Sequence, residues 1–241
     1  MEGSAREFYE RLHVAPGCQL LDVACGSGQL ALLAARDGME VTGVDIAGNL
    51  VERARARARA EGLRSRFEEA DAEALPFEDA SFDVVTSLIG AMFAPRPDLV
   101  AKELFRVCMP GGTIAMANST PQGFIGQMFK VVSKFIAPPG MPSPVLWGDE
   151  PTVRERLGKG LSELSMTRRQ YTFAYPFPPE EVVEFFCLYY GPTNRAFAVL
   201  DAAGQARLRQ DLEALWAAQD RAGAGYTTVF AEYLEVIGIR A

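Results

Sequence analysis

The sequence predicts an α/β fold built on a parallel sheet, and three observations carry that reading. Residues Leu20–Gly28 pass from an apolar run into Asp22 and then through a turn marked by Gly26 and Gly28, and Gln29–Arg36 behind the turn has the Ala/Leu content of a helix. A strand, a glycine turn and a helix N-terminus in that order make a nucleotide-binding unit, since glycines let a ligand approach the backbone closely. A second apolar run, Glu40–Asp45, ends in another acid 17 residues past Gly28, about where a ribose-binding carboxylate belongs. Ser81–Ser87 and Thr113–Asn118 repeat the strand pattern, with a helical stretch, Asp98–Val107, between them.

Two cofactor classes compete for this pattern, because Gly26-x-Gly28-x-x-Ala31 also satisfies the relaxed dinucleotide fingerprint. Asp22 separates them. A dinucleotide puts a pyrophosphate on the turn, where helix-end N–H groups favour negative charge, and a carboxylate four residues before Gly26 opposes that anion. S-Adenosylmethionine (SAM) has no phosphate and carries a sulfonium and an ammonium. At an effective dielectric of ~20, a pair of unit charges about 4 Å apart is worth ~4 kcal/mol before desolvation is subtracted, and its sign favours SAM.

Asp22-Val-Ala-Cys-Gly26-Ser-Gly28 resembles the first motif of the class I SAM-dependent methyltransferases, acid-x-Gly-x-Gly-x-Gly, with Ala24 in place of the first glycine. That substitution narrows the room beside the methionine moiety. Arg66–Phe77, with Asp71-Ala72-Glu73-Ala-Leu-Pro76-Phe77, resembles the family's third strand and following loop, and Ser81–Ser87 its fourth strand. Leu104-x-Arg106-Val107-x-x-Pro110-Gly-Gly112 matches the segment where a helix stops and the chain turns into the sheet. The resemblance is to the small-molecule, type 11 or ubiquinone-biosynthesis-like branch and covers Val14 to Asn118. It implies a Rossmann-like seven-stranded sheet of order 3-2-1-4-5-7-6 with strand 7 antiparallel. It also implies SAM as cofactor, leaving as S-adenosylhomocysteine (SAH), on Asp22, Ala24, Gly26, Ser27, Gly28, Asp45, Ile46, Leu50, Asp71, Ala72, Ser87 and Leu88. In that arrangement Asp45 takes the ribose, Leu50 packs on one adenine face with Ile46 nearby, and Asp71 accepts from the exocyclic amine. The Ala72 N–H donates to the ring, and the Ser87 or Leu88 backbone meets the methionine end. The stretch after Ser87 lacks the Asn/Asp-Pro-Pro-aromatic motif of amino-group methyltransferases of DNA and protein glutamine.

Taken in order, Ser4–His13 reads as an amphipathic helix with Phe8, Tyr9 and Leu12 on one side, ended by Pro16-Gly17. Tyr9 suits packing on the sheet edge or a lid over the cofactor. Val51–Glu61 is a helix whose Arg53, Arg55, Arg57 and Arg59 fan around half of it, which reads as a solvated face. From Ser119 the pattern changes. Gly123–Ile136 is an apolar helix, and Ala137–Pro144 is a proline-rich loop unsuited to an inner strand. Residues 119–162 therefore read as a helical cap insertion over the active-site mouth of one methyltransferase domain spanning 1–241, with Met128, Phe129, Met141 and Trp147 suited either to an apolar substrate or to packing the insertion. Met166–Phe177 and Tyr226–Arg240 read as the last two strands, with a helix opened by Pro179, Glu180 and Glu181 between them.

Hydrophobic residues at 49% and charged residues at 23% are globular values, and 241 residues suffice for one α/β domain with an insertion. A net charge of −7 disfavours a nucleic-acid backbone as partner. Four scattered cysteines, Cys18, Cys25, Cys108 and Cys187, indicate neither a zinc site nor a disulfide framework and suit a reducing cytoplasm. No run approaches the ~20 apolar residues of a membrane span, and no signal peptide is evident. Methyl transfer from a sulfonium needs alignment and exclusion of water more than a triad. For acceptors that must lose a proton, the candidate bases are His13, Asp149, Tyr189 and Tyr190, while proximity alone serves an acceptor already ionised. The function expected is methyl transfer to a small, partly apolar acceptor. A protein or RNA methyltransferase, and a non-catalytic SAM-binding module, are the alternatives. An NAD(P) oxidoreductase is disfavoured by Asp22 and by the lack of a Tyr-x-x-x-Lys pair.

Overall fold

Alternation of buried strands with amphipathic helices sets the architecture of the computed structural model, which describes residues 2–136 and 140–241. Residues 137–139 of the proline-rich loop lie outside the described residues. Helix α1 (Glu2–Glu10) precedes β1 (Gln19–Val23), α2 (Gln29–Arg36), β2 (Glu40–Asp45), α3 (Gly48–Ala60) and β3 (Arg66–Glu69). Then come β4 (Phe82–Leu88), a 3-10 turn at Ala91–Phe93, α4 (Pro97–Val107), β5 (Cys108–Ser119) and α5 (Phe124–Ser133). A 3-10 segment (Pro144–Gly148), α6 (Glu150–Leu157), β6 (Leu161–Tyr175), α7 (Pro179–Tyr189), α8 (Gly191–Val199), α9 (Ala202–Gln219) and β7 (Thr227–Arg240) complete the chain.

Among the described residues seven strands form one sheet of order β3-β2-β1-β4-β5-β7-β6. The first five strands are parallel: Asp22 pairs with Gly43 and Thr86, and Asp45 with Glu69. Both flanks of β1 and β4 are buried, as parallel strands between helical layers must be, and Leu20, Leu21, Val84 and Val85 supply that core. Strand β7 runs against its neighbours. Its Glu232 carbonyl meets the Thr120 N–H near one end of β5, Arg240 bonds the Cys108 carbonyl at the other, and the Ala241 N–H bonds Gly160 before β6. The sheet order is the one the sequence implies.

Several boundaries differ from the sequence reading. Strand β5 starts at Cys108 instead of Thr113: Phe82 pairs with Cys108 and Val84 with Thr113, so Met109–Gly112 bulge out of a strand already begun. Helix α9, with Leu208, Leu212 and Trp216 buried four residues apart, was not anticipated. Of the four arginines of α3, Arg55 and Arg57 are not merely solvated: Arg55 donates to the Phe67 carbonyl at 2.6 and 2.9 Å, and Arg57 to the Ser27 carbonyl at 2.7 Å.

The chain divides into two compact units. The first comprises residues 1–118, 142–169 and 234–241, and the second residues 119–141 and 170–233. The span 119–162, read as one insertion, is thus shared out, with 119–141 in the second unit and 142–162 in the first. Within the first unit, Arg11 and Arg169 both clamp the buried Glu235, at 2.6 and 2.7 Å. The second unit is organised around Trp216, against which Phe124, Phe173 and Phe186 pack with ring centroids 4.4, 5.7 and 5.0 Å away. Such edge-on pairs contribute about 0.5–1.5 kcal/mol each beyond burial.

Candidate cofactor site

The carboxyl ends of β1, β2 and β4 lie side by side in the first unit, which is where open α/β sheets bind ligands. Asp45, at the end of β2 and 8% exposed, accepts the Gly26 N–H at 2.8 Å on one oxygen and the Ala47 N–H at 2.9 Å on the other. One side chain thereby ties the glycine turn to the start of α3. Gly26 has φ +56°, and a Cβ placed on it would meet nothing within 4 Å, so the turn is open there beside Asp45. Gly28, at φ +79° before α2, is closed instead, its missing Cβ lying 3.3 Å from Ala54 and Phe67. The Ser27 carbonyl between them is held by Arg57.

Ala24, where the motif has glycine, adopts φ 57° all the same. A left-handed conformation costs a residue with a Cβ about 1–2 kcal/mol. Gly90 lies directly against it: a Cβ on Gly90 would come 2.3 Å from the Ala24 carbonyl oxygen. Between Leu88 and Gly90, Ile89 has φ 63°, a conformation rare for a β-branched residue, with its N–H bonded to the Ala117 carbonyl at 2.8 Å. Backbone strain of this kind gathers at ligand sites.

Asp22 is 2% exposed beneath the turn. It accepts the Thr86 hydroxyl at 3.2 Å and the Ala31 N–H, so it fastens β1 to β4 and to the first turn of α2. Burial pushes its carboxyl up to about 7, against the lowering effect of those hydrogen bonds and with a smaller push from the charge on Asp45. Near neutral pH the group is only partly ionised, so the charge preference argued from the sequence acts at less than a full unit. A cation brought to the turn gains by drawing that proton off.

Asp71 accepts the Glu73 N–H at 2.9 Å in a tight turn, which leaves its other oxygen unengaged by that bond. Sequence reasoning missed what fixes this loop. Glu103 and Arg106, one turn apart on α4, grip it together: Glu103 accepts the Leu75 N–H at 2.7 Å, while Arg106 donates to the Leu75 and Phe77 carbonyls at 2.8 and 2.6 Å. The two side chains also pair at 2.7 Å. The signal was present in the Leu104-x-Arg106-Val107 segment, read only as a helix stop. Nearby, Arg96 pairs with the buried Glu73 at 2.6 Å.

Ile46 follows Asp45 and is 69% exposed, a large apolar side chain uncovered at the mouth of the turn, while Leu50 one helical turn on is half-buried. The Ser87 hydroxyl is buried and accepts the Ala91 N–H at 3.0 Å, which ties the end of β4 to the 3-10 turn beyond half-buried Leu88. Open backbone at Gly26, a doubly held acid at Asp45 and an uncovered apolar side chain at Ile46 fit an adenosyl group. Among the described residues no three His, Cys, Asp or Glu side chains gather to hold a metal ion.

The family profile described as a methyltransferase domain matches residues 21–116. An uncharacterized protein of Mycobacterium tuberculosis is 40% identical over 187 residues, 77% of this chain and 68% of its own length. The chain belongs to the class I SAM-dependent methyltransferases, and SAM is its cofactor. The demethylmenaquinone methyltransferase of Thermus thermophilus is 39% identical over 124 residues, 50% of this chain and 56% of that enzyme. The YcgJ protein of Bacillus subtilis, 16% identical, shares the fold, with a TM-score of 0.65 over 100% of this chain and 99% of that one.

For a methyltransferase the remaining question is what handles the acceptor. His13 is exposed, has φ 49° and lines a depression of about 460 Å³ with Tyr9, Glu10, Val14, Pro16 and Asp37. Pro16 stands beside Gly38 and Gly17 bonds the Gly38 carbonyl, which puts this depression where β1 and β2 begin, at the end of the sheet opposite Asp22 and Asp45. Tyr9 faces Asp37 there, its hydroxyl pushed up to about 12 by burial and by that acid. Asp149 caps α6, accepting the Thr152 N–H at 3.2 Å and hydroxyl at 2.7 Å. Tyr189 and Tyr190 belong to the second unit. Tyr189 is 72% exposed beside Phe185, and Tyr190 packs on Phe186 with its hydroxyl pushed up by burial, which keeps it protonated at neutral pH.

Proposed function

We propose that this methyltransferase moves the methyl group of SAM to a small, partly apolar acceptor, with Asp45 as the residue on which cofactor binding depends. The supporting observation is the Asp45 carboxylate, held by two backbone N–H groups beside the open face of Gly26. In this reading Asp45 also takes the ribose hydroxyls, and Ile46 and Leu50 cover the adenine. Asp71 accepts from the adenine amine, Ala72 donates to the ring, and the Ser87–Leu88 backbone meets the methionine end. Asp22, Ala24, Gly26, Ser27 and Gly28 shape the floor.

When bound, SAM supplies the activated methyl carbon. The chain's own contribution is to hold both partners in line and keep water out. The placement of His13 and the capping role of Asp149 favour proximity over general-base catalysis. The net charge of −7 and the relative named as a demethylmenaquinone methyltransferase support an apolar small molecule over RNA or protein. Four free cysteines, three of them buried, suit work in the reducing cytoplasm, and among the described residues no helix is long and apolar enough to cross a membrane. The test is a screen of small-molecule, RNA and protein fractions with methyl-labelled SAM. Label in the small-molecule fraction, lost with Asp45→Ala, is the expected result, and label confined to RNA or protein refutes the reading.

A further inference from the structure

Asn118 is the last residue of the first unit's part of β5 and is 0% exposed, yet among the described residues neither its amide oxygen nor its amide nitrogen has a hydrogen-bond partner. Buried side-chain amides are almost always paired, because leaving donor and acceptor bare forfeits their hydration with nothing in return. Its place on the sheet gives the anomaly meaning. The β4–β5 register pairs Ser87 with Met116 and Leu88 with Ala117, so alternation puts Asn118 on the face of Ser87, one step beyond the last pair. It therefore flanks the strained Ile89 and the Gly90 that packs on Ala24, at the carboxyl ends where the cofactor's reactive end belongs.

We infer that Asn118 holds the methyl acceptor and sets its chemical class, an inference that rests on the small-molecule reading above. A side-chain amide offers an acceptor oxygen and a donor N–H side by side. Its complement is an edge bearing a donor next to an acceptor: an amide or lactam, or a hydroxyl beside a carbonyl. Such an edge satisfies both bare atoms at once. A ligand lacking the donor leaves the Asn118 oxygen unpaired, and sites built to bond a polar group reject analogues without it strongly.

The experiment uses the whole protein loaded with SAH and two probes, 2-quinolone, whose lactam presents N–H and C=O on one edge, and 1-methyl-2-quinolone, which lacks the N–H. Calorimetry on the wild type is expected to give at least about tenfold tighter binding of 2-quinolone, and Asn118→Leu is expected to bind the two alike. SAH-loaded Asn118→Leu is also expected to melt about 2–4 °C higher, since an apolar replacement removes two bare polar atoms. Equal or absent binding of the two probes by the wild type overturns the inference without recourse to the variant. So does a preference that survives the substitution, a lowered melting temperature, or a tenfold loss of SAH affinity, which would assign Asn118 to the cofactor. Failure of the wild type to bind SAH at all sinks the functional reading itself, a distinct outcome.

Discussion

Replacing Asp22 by Asn tests the electrostatics of the site through the protein's stability. In the folded chain the Asp22 carboxyl sits at about 7, against an ordinary value of 3.8, with burial as the main cause. A raised carboxyl binds its proton more tightly folded than unfolded, so its contribution is fully present below pH ~4 and is lost as pH rises through ~7. The gap of about three pH units, at 1.36 kcal/mol each, limits the loss to about 4 kcal/mol. Asn keeps the shape and an oxygen for the Thr86 hydroxyl and the Ala31 N–H but never ionises. Urea unfolding at pH 5.5 and 8.5 should therefore show the wild type weakening with pH relative to Asp22→Asn by about 2 kcal/mol, because only the part of the gap above pH 5.5, about 1.5 pH units at 1.36 kcal/mol each, falls in this window and all other groups are common to both. SAM should also bind the wild type more tightly as pH rises from 6 to 8, as its sulfonium favours the ionised form, and the variant should lack that trend. Parallel pH profiles for the two proteins would refute the account of Asp22 as a buried, half-charged acid.

Other outcomes follow from single contacts. Arg106→Ala removes the bonds to the Leu75 and Phe77 carbonyls and leaves Glu103 partly unpaired, so chemical unfolding should register a loss of about 1–3 kcal/mol, and the KM for SAM should rise more than kcat falls. Gly90→Ala forces a methyl against the Ala24 carbonyl, and the melting curve should report about 1–3 kcal/mol of strain together with weakened SAM binding. His13→Ala, at the far end of the sheet, should leave turnover unchanged, and a large loss of kcat would reinstate His13 as a base.

The sheet was legible because its physics is local and repetitive. Apolar runs ending in Asp22, Asp45 and Ser87 announce strands, and the register brings those ends together. What escaped was non-local or environmental. The reach of Arg57 to the Ser27 carbonyl and of Arg55 to Phe67 depends on how α3 packs, which a fan of four arginines does not disclose. Strand β5 begins five residues early because a bulge lets Pro110-Gly111-Gly112 leave a strand without ending it. The state of Asp22 depends on burial that its residue type does not carry. Ala24 was noticed as a departure from the glycine motif, but its partner Gly90, 66 residues on, is meaningful only once the two strands lie side by side.

The most direct test of the site titrates SAM into the wild type, Asp45→Ala and Asp45→Asn, with the Gly26 turn checked by melting. If Asp45 carries the cofactor, Asp45→Ala weakens SAM by about 1–3 kcal/mol, roughly 5- to 150-fold, as a charge-assisted contact is lost, and Asp45→Asn falls between. Wild-type affinity in a folded Asp45→Ala protein would contradict the account.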